Sequence, residues 1–348
     1  MKSEAIVLPY YGIGDFLTHL PFILALLKKN KKSKFIVLTK SRTFAKKLLL
    51  PEKRIEVIYI QNNYNLFSSI KEFFKLINFF KKKKTSRIWI FHRSPRFAII
   101  AFFSSIEERL GYGIGSQKIW LNCKSFLKKK FYKSFPIEKS FEFLKINNIY
   151  LNSVEPKLDA LKSINTKIKK EFLKYPKPWV VIGFGSTDIH RTWKTLNFIN
   201  LIKLLDKLKK STFFLIGSPK ERKGADKIIS KCLKIKSKVI NACFSMEKTI
   251  SLISLSDFYV GNDTGSSNLS LALGVKTFII HGGTPPYTKT VYRKFYPNRY
   301  NSKFLFPIEP KGGVLRDPHL KGNDSIPRNI GMDLIKPEDV AKLILKKI

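Results

Sequence analysis

FYVGNDTGSSNLSLALGVKTFIIH, residues 258–281, decides the fold class. Phe258–Val260 reads as a short buried strand, and Gly261 to Gly265 as a small, polar turn. Ser266–Leu273 then has helical composition, and Thr277–His281 is a second apolar run. A strand, a helix and a further strand at this spacing make a βαβ unit, which sets two parallel strands in one sheet. The same rhythm extends backwards. Strands are expected at Trp179–Phe184, Thr212–Ile216 and Val239–Asn241, with helices at Leu196–Lys209, Glu221–Cys232 and Met246–Ser254. A separate series occupies the N-terminal half. It has strands at Ala5–Leu8, Phe35–Thr39, Val57–Ile60 and Arg87–Phe91, and helices at Leu20–Lys29, Ser69–Phe80 and Arg96–Phe103. Pro21 places the regular start of the first helix near Leu20, because proline is tolerated in a first turn. Leu110–Ile114 enters a loop-rich stretch with further helix around Phe141–Asn147.

Residues 155–178 are Lys-rich, carry Pro156, Pro176 and Pro178, and read as the edge of a linker. Residues 285–330 read as a long loop region, and Lys336–Lys347 as a closing amphipathic helix. The expectation is an α/β protein of two Rossmann-like, doubly wound domains, 1–160 and 161–330, followed by a closing helix in 331–348. Ligand sites lie at strand C-termini in such sheets, which puts an active site in the cleft between the domains.

Charge first suggests something else. The 348 residues include 66 Lys+Arg against 25 Asp+Glu, a formal charge of +41. Clustered base would imply nucleic acid. Residues 1–160 hold 31 basic and 11 acidic residues, and residues 161–348 hold 35 and 14, so the excess is spread evenly. That distribution describes solvated faces in a chain also rich in Asn, Ile and Phe, with no specific nucleic-acid partner. At 44% hydrophobic and 13% aromatic residues the chain is no disordered polycation. Cys123, Cys232 and Cys243 are odd in number and lack C-x-x-C spacing. They point away from a disulfide scaffold or zinc ribbon and suit a reducing, cytoplasmic compartment. The N-terminus does not read as a signal peptide, and no stretch approaches the roughly 20 apolar residues of a membrane span.

Four segments carry candidate chemistry. Gly12-Ile13-Gly14-Asp15 follows the first strand. As a dinucleotide fingerprint it fails: Leu17 stands at the third glycine position and strand two ends in Thr39-Lys40, with no acid for a ribose. Asp15 remains, a carboxylate past a strand end where a general base is useful and where a helix N-cap is equally at home. In the opening segment, Asp263, Thr264, Gly265, Ser266 and Ser267 head a helix whose free N–H groups make an anion site. Capping accounts for part of that run. Ser186 to Lys194 offers Arg191 and Lys194 for a diphosphate, or for solvated surface. Gly217-Ser218-Pro219-Lys220-Glu221 places Glu221 to accept from ribose hydroxyls, or to complement a helix dipole. The five histidines show no metal spacing, and His92 and His281, at strand ends, read as structurally satisfied imidazoles.

In this order the segments resemble glycosyltransferase family 9, the ADP-heptose:lipopolysaccharide heptosyltransferases. The resemblance runs through GIGDFLTHLPFILALLKK (12–29), RSPRFAIIAFFSSIEERLGYG (93–113) and GFGSTDIHRTWKTLNFINLIKLL (183–205). It continues in FFLIGSPKER (213–222), LISLSDFYVGNDTGSSNLSLALGVKTFIIHGGTPP (252–286) and MDLIKPEDVAKLI (332–344). It implies a GT-B fold, with the nucleotide sugar held mainly by the second domain and the acceptor by the first. It also implies inverting, metal-independent transfer with no cofactor, the nucleotide sugar, ADP-heptose by default, being substrate. Residue by residue, Asp15 matches the general base, and Arg191 stands where the family often has Lys near the diphosphate. Glu221 matches the acid that holds the nucleoside, and Asp263, Thr264 and Gly265 match the donor segment. Ser266 and Lys194 extend the phosphate site, while Gly14, Arg93 and Arg96 fall in the acceptor half. Two departures bear on the sugar. Asn268 replaces the usual His, and Gly282-Gly283-Thr284-Pro285-Pro286 replaces G-P-T-D-P, so Thr284 lacks its neighbouring acid.

The expected partners are a nucleotide sugar and an anionic lipid-linked glycan, met at the cytoplasmic membrane face. Lys81–Lys84, Arg93, Arg96 and Lys128–Lys130 are the candidate membrane-facing cations. Two other classes compete. A non-catalytic polybasic protein would bind lipid or nucleic acid through charge alone, and a Rossmann-type NAD(P) oxidoreductase would need the acid that strand two lacks.

Overall fold

The computed structural model describes residues 3–10, 12–49, 52–61, 66–158, 170–188, 191–207, 209–281, 304–309 and 329–348. The chain divides into two compact units, Met1–Pro156 and Lys157–Ile348.

In unit 1, β1 (Ser3–Leu8), β2 (Lys34–Lys40), β3 (Ile55–Ile60), β4 (Thr85–Ile90) and β5 (Glu108–Gly111) form a parallel sheet in the order β3-β2-β1-β4-β5. Ile6 of β1 sits opposite Val37 of β2 and Trp89 of β4. Ala5, Ile6, Val7, Val37 and Leu38 are fully buried, as expected of central strands covered on both faces. The helices are α1 (Ile13–Lys29), α2 (Ala45–Leu48), α3 (Leu66–Lys82), α4 (Arg96–Phe103), α5 (Gln117–Trp120) and α6 (Pro136–Ile146).

Helix α1 corrects the expected start near Leu20, for it begins at Ile13 and contains Pro21 in its interior. Proline there forfeits one backbone bond and costs ~3 kcal/mol or more. Phe16, Leu17, Leu20, Phe22, Ile23 and Leu26 are all buried, and each contributes about 1.5–3 kcal/mol. Burial wins. A second correction concerns β5, in a stretch that reads as loop. Only Leu110 and Gly111 of its four residues are buried, too few for an apolar run to signal a strand, and pairing with β4 holds it at the sheet edge.

Unit 2 has β6 (Trp179–Gly183), β7 (Thr212–Ile216), β8 (Lys238–Asn241), β9 (Phe258–Asn262), β10 (Lys276–Ile280) and β11 (Leu305–Ile308) in one parallel sheet, ordered β11-β10-β9-β6-β7-β8. Its helices are α7 (Thr195–Asp206), α8 (Arg222–Ser230), α9 (Met246–Leu255), α10 (Gly265–Ala272), α11 (Asn329–Asp333) and α12 (Pro337–Lys347). Strand β11 corrects part of the loop expected over 285–330. Pro307 disguises it, yet a proline strand is tolerated at an edge, where among the described residues β11 pairs with β10 alone. One core packs Val180, Ile182, Phe258, Val260, Phe278 and Ile280 beneath Phe198, Leu201 and Ile202 of α7 and Val340 and Ile344 of α12. All three cysteines are free and buried. Among the described residues no helix is long and apolar enough to cross a membrane.

Candidate active site

Each sheet has one place where the chain departs in opposite directions from two neighbouring strands, and there a crevice opens at the strand C-termini. In unit 2 it lies between β6 and β9, so residues after Gly183 and Asn262 line it. Asn262 is fully buried and joins the two banks. Its side-chain amide donates to the Phe184 carbonyl at 2.8 Å, and its oxygen accepts from the Trp193 N–H at 3.0 Å. Trp193 is anchored in turn by its indole N–H, which donates to the Ile335 carbonyl at 2.9 Å. The loop carrying Arg191 is thereby fixed to the end of β9.

Asp263 follows at once. It is nearly buried, and its Oδ2 lies 3.3 Å from Nδ1 of His281, just past β10. Burial alone would raise the carboxyl pKa; the His281 hydrogen bond and charge, then Arg191, overcome this and hold it below the usual value. Arg191 itself lies 3.5 Å from Asp188. Beneath them, the Tyr259 hydroxyl is fully buried, and burial raises its pKa despite a Thr264 hydrogen bond that works the other way. A Cβ on Gly183 would collide with that hydroxyl, and one on Gly261 with the Gly183 carbonyl. Two glycines thus let the strands close around a phenol.

Thr264 is the N-cap of α10 and forms a capping box with Ser267. The Ser267 hydroxyl donates to the Thr264 carbonyl at 2.7 Å, and the Asn268 amide donates to the same carbonyl at 3.0 Å. Capping therefore takes Thr264 and Ser267, and Asn268 back-bonds to the Thr264 carbonyl, while Gly265 and Ser266 present their backbone at the positive end of the helix. Glu221 also caps, its Oε2 accepting from the Ser218 N–H at 2.6 Å. Its other oxygen lies against Gly185, where any Cβ would collide with it. That contact brings Glu221 to the end of β6. Lys194 turns away to Asp333 of α11, at 3.0 Å. Thr284 lies outside the described residues.

In unit 1 the corresponding crevice lies between β1 and β4. Asp15, exposed, sits in the first turn of α1 directly after Gly14. Behind it His19 is buried, its Nδ1 2.7 Å from the Asp15 carbonyl and its ring stacked on Tyr10 at 4.3 Å. Burial drives the His19 pKa down to about 4. The imidazole is then neutral at pH 7, and a carbonyl partner requires Nδ1 to carry the proton. Nε2 has no partner among the described residues. On the β4 bank His92 is also lowered to about 4, by burial and then by Arg93, Lys139 and Lys40. These three cations surround one neutral ring. Arg93 is exposed among them, whereas Arg96 bridges helices, donating to Glu72 at 2.9 Å and to the Ser69 carbonyl at 3.2 Å.

The structure thus gathers Arg191, Glu221, Asp263, Thr264, Gly265, Ser266 and Asn268 around β6 and β9. Sequence reading misses Asn262, Tyr259, His19, Lys40 and Lys139. Only their position at strand ends or on a helix face signals them. His281 is a satisfied imidazole as expected, but its partner is the site acid. Among the described residues no three His, Cys, Asp or Glu side chains gather as a metal site would.

Two parallel-sheet Rossmann-like units with crevices at both switch points are the parts of a GT-B fold. Solved structures share this fold. A glycosyltransferase family 9 protein from Veillonella parvula superposes with a TM-score of 0.75 at 13% identity, covering 99% of this chain and 96% of that one. The E. coli heptosyltransferase WaaC, bound to ADP-2-deoxy-2-fluoro heptose, gives 0.70 at 15% identity, covering 99% and 100%. Lipopolysaccharide heptosyltransferase 1 of Campylobacter coli is 24% identical over 255 residues, 69% of this chain and 67% of that protein. Residues 81–299 match glycosyltransferase family 9 (heptosyltransferase), and the chain belongs to that family.

Proposed function

We propose that the protein transfers a sugar, heptose by the family's default, from a nucleoside-diphosphate donor to a lipopolysaccharide or lipooligosaccharide core or related glycan. The observation that carries this reading is the placement of Asp15 and of Asp263–Ser266 at the switch points of two separate sheets in a family 9 chain. In this reading residues 1–160 hold the acceptor, residues 161–330 hold the donor, and 331–348 close the second domain. Asp15 takes the proton of an acceptor hydroxyl as its oxygen bonds to the anomeric carbon, and the bond from that carbon to the diphosphate breaks. Attack opposite the leaving group inverts the centre. Neutral His19, donating to the Asp15 carbonyl, fixes the turn that carries the base.

The leaving diphosphate is stabilised by the head of α10 and by Arg191, while Lys194 is engaged by Asp333 instead. These groups supply the positive charge that a metal supplies elsewhere, and Glu221 accepts from the ribose. Arg93, with Gly14 beside the base, faces an anionic acceptor. Asn268 and Thr284 bear on which sugar is taken. The enzyme acts in the cytoplasm, peripheral to the membrane that carries its acceptor.

The test is a panel of nucleotide sugars with purified protein and a lipooligosaccharide acceptor, with and without EDTA. Expected are nucleoside diphosphate release with one heptose donor, no effect of the chelator, and a product of inverted anomeric configuration by NMR. Release with no donor contradicts the transfer, retention contradicts the single displacement, and chelator loss contradicts the metal-free step.

A further inference from the structure

We propose that unit 1 docks on an anionic lipid bilayer through an aromatic face built by α3, α4 and α5. Phe73 and Phe74 of α3, Phe102 and Phe103 at the end of α4, and Trp120 of α5 form one continuous run of rings. Successive centroids lie 5.5 Å apart for Phe74–Phe73, 6.3 Å for Phe73–Phe103, 5.5 Å for Phe103–Phe102 and 5.3 Å for Phe102–Trp120. Phe103 and Trp120 close the group at 6.2 Å. Three helices thus contribute to one surface.

Phe73 and Trp120 are half-buried, and the other three rings and two neighbouring isoleucines stand out from the core. Ile70, Phe74, Phe102, Phe103 and Ile119 are all exposed, from 47% for Phe102 to 76% for Ile119. Single exposed apolar residues are ordinary, but a contiguous aromatic group on a basic background marks a contact surface. Its rim is cationic. Arg109 stands over the Phe102 ring at 5.4 Å, and Lys118 adjoins Ile119. Lys71 and Lys75 are exposed on either side of Phe74 on α3. Nearby acids are offset: Glu72 is bound to Arg96 at 2.9 Å and Glu108 to Arg87 at 2.6 Å. Glu107, exposed beside Glu108 in sequence, is set against Lys71, Lys75, Arg109 and Lys118.

Aromatic rings at headgroup depth with Lys and Arg stems around them are the chemistry of an interfacial anchor. Each cation near an anionic leaflet adds attraction. A second copy of this chain fits the face poorly, because each copy carries +41 and would meet a rim of its own sign. This inference rests on the proposed transfer only in that a lipid-linked acceptor gives the docking a purpose.

The chain contains its own reporter. Of its four tryptophans, Trp89, Trp179 and Trp193 are buried, and Trp120, half-exposed, lies within the aromatic face. Full-length protein is mixed with vesicles of phosphatidylcholine and phosphatidylglycerol in equal parts, with and without brominated acyl chains. Expected are co-sedimentation, a blue shift of Trp120 emission and quenching by bromine, with the quenching absent in Trp120→Phe. Phe74→Ser with Phe103→Ser should weaken binding about tenfold with unchanged circular dichroism. Should that variant misfold, Lys71→Glu with Lys75→Glu serves instead, with a loss of the same direction. No sedimentation, sedimentation without quenching, or a concentration-dependent dimer that Phe74→Ser with Phe103→Ser breaks would each overturn the docking. Nucleoside diphosphate release onto a detergent-dispersed acceptor is measured separately, so failure of docking and failure of transfer are distinguished.

Discussion

Replacing Asn262 by alanine removes two hydrogen bonds from a fully buried position. The Phe184 carbonyl loses a donor at 2.8 Å and the Trp193 N–H loses an acceptor at 3.0 Å. A buried polar group left unsatisfied costs about 1–3 kcal/mol, so the pair costs about 2–6 kcal/mol. Part of that cost falls locally on the Trp193 amide. At 1.4 kcal/mol per decade its hydrogen-exchange protection should drop about 5- to 150-fold. Asn262→Asp separates the two bonds, since a carboxylate still accepts from Trp193 but meets the Phe184 carbonyl with a like partial charge. In both variants the loop bearing Arg191 loosens, and the donor KM should rise more than kcat falls. Hydrogen exchange by mass spectrometry over residues 184–193, with denaturant titration of unit 2, reads both effects. Unchanged exchange at Trp193 together with an unchanged donor KM would refute the joining role assigned to Asn262.

Three further outcomes are expected. From pH 6.5 down to about 4 the unfolded chain protonates His19 and the folded chain does not, so stability falls with pH by about 3 kcal/mol in all. His19→Leu should lessen the slope in acid urea titrations, leaving the share of His92, which is lowered likewise, and an identical slope would contradict the buried neutral ring. Gly183→Ala and Gly185→Ala each drive a Cβ into a side chain, the Tyr259 hydroxyl and the Glu221 carboxylate. Gly185→Ala should raise the donor KM, and Gly183→Ala should lower the melting temperature, a loss that Tyr259→Phe lessens without removing because the ring carbon behind the hydroxyl still lies 2.6 Å from the new Cβ; full tolerance of either would contradict the packing. His281→Leu removes the group that holds Asp263 ionised against burial. Stability present above the ordinary carboxylate pKa, and now lost only as pH falls through a lowered one, should then be lost at a higher pH on acidification, a shift that pH-dependent melting detects or excludes.

Much of this was legible because parallel strands declare themselves. Ala5–Leu8, Phe35–Thr39 and Thr212–Ile216 are apolar runs that a doubly covered sheet demands, and their spacing carries the α/β class. Strands β5 and β11 were illegible for the opposite reason: edges need few buried side chains, and Pro307 reads as a breaker. Pro21 misleads the start of α1, because a local rule about one bond cannot foresee a helix buried along most of its length. At the site, small polar residues after a strand are visible in sequence, and Asp263–Ser266 and Glu221 stand where such runs point. Pairings across the sheet are not visible. His281 meets Asp263 because β10 lies beside β9, and Asn262 reaches Trp193 because β6 adjoins β9. The charge of +41 is a property of the whole surface; only the structure shows where rings and cations share a face.

The central claim, that Asp15 removes the acceptor proton in a glycosyl transfer, is tested most directly by Asp15→Asn. This change keeps the volume of the side chain and leaves the His19 contact with the backbone carbonyl in place. With ADP-heptose and a lipooligosaccharide acceptor, nucleoside diphosphate release is expected to fall about 10²- to 10⁴-fold in kcat, with donor affinity measured by calorimetry unchanged. Transfer at the wild-type rate by Asp15→Asn would contradict the account.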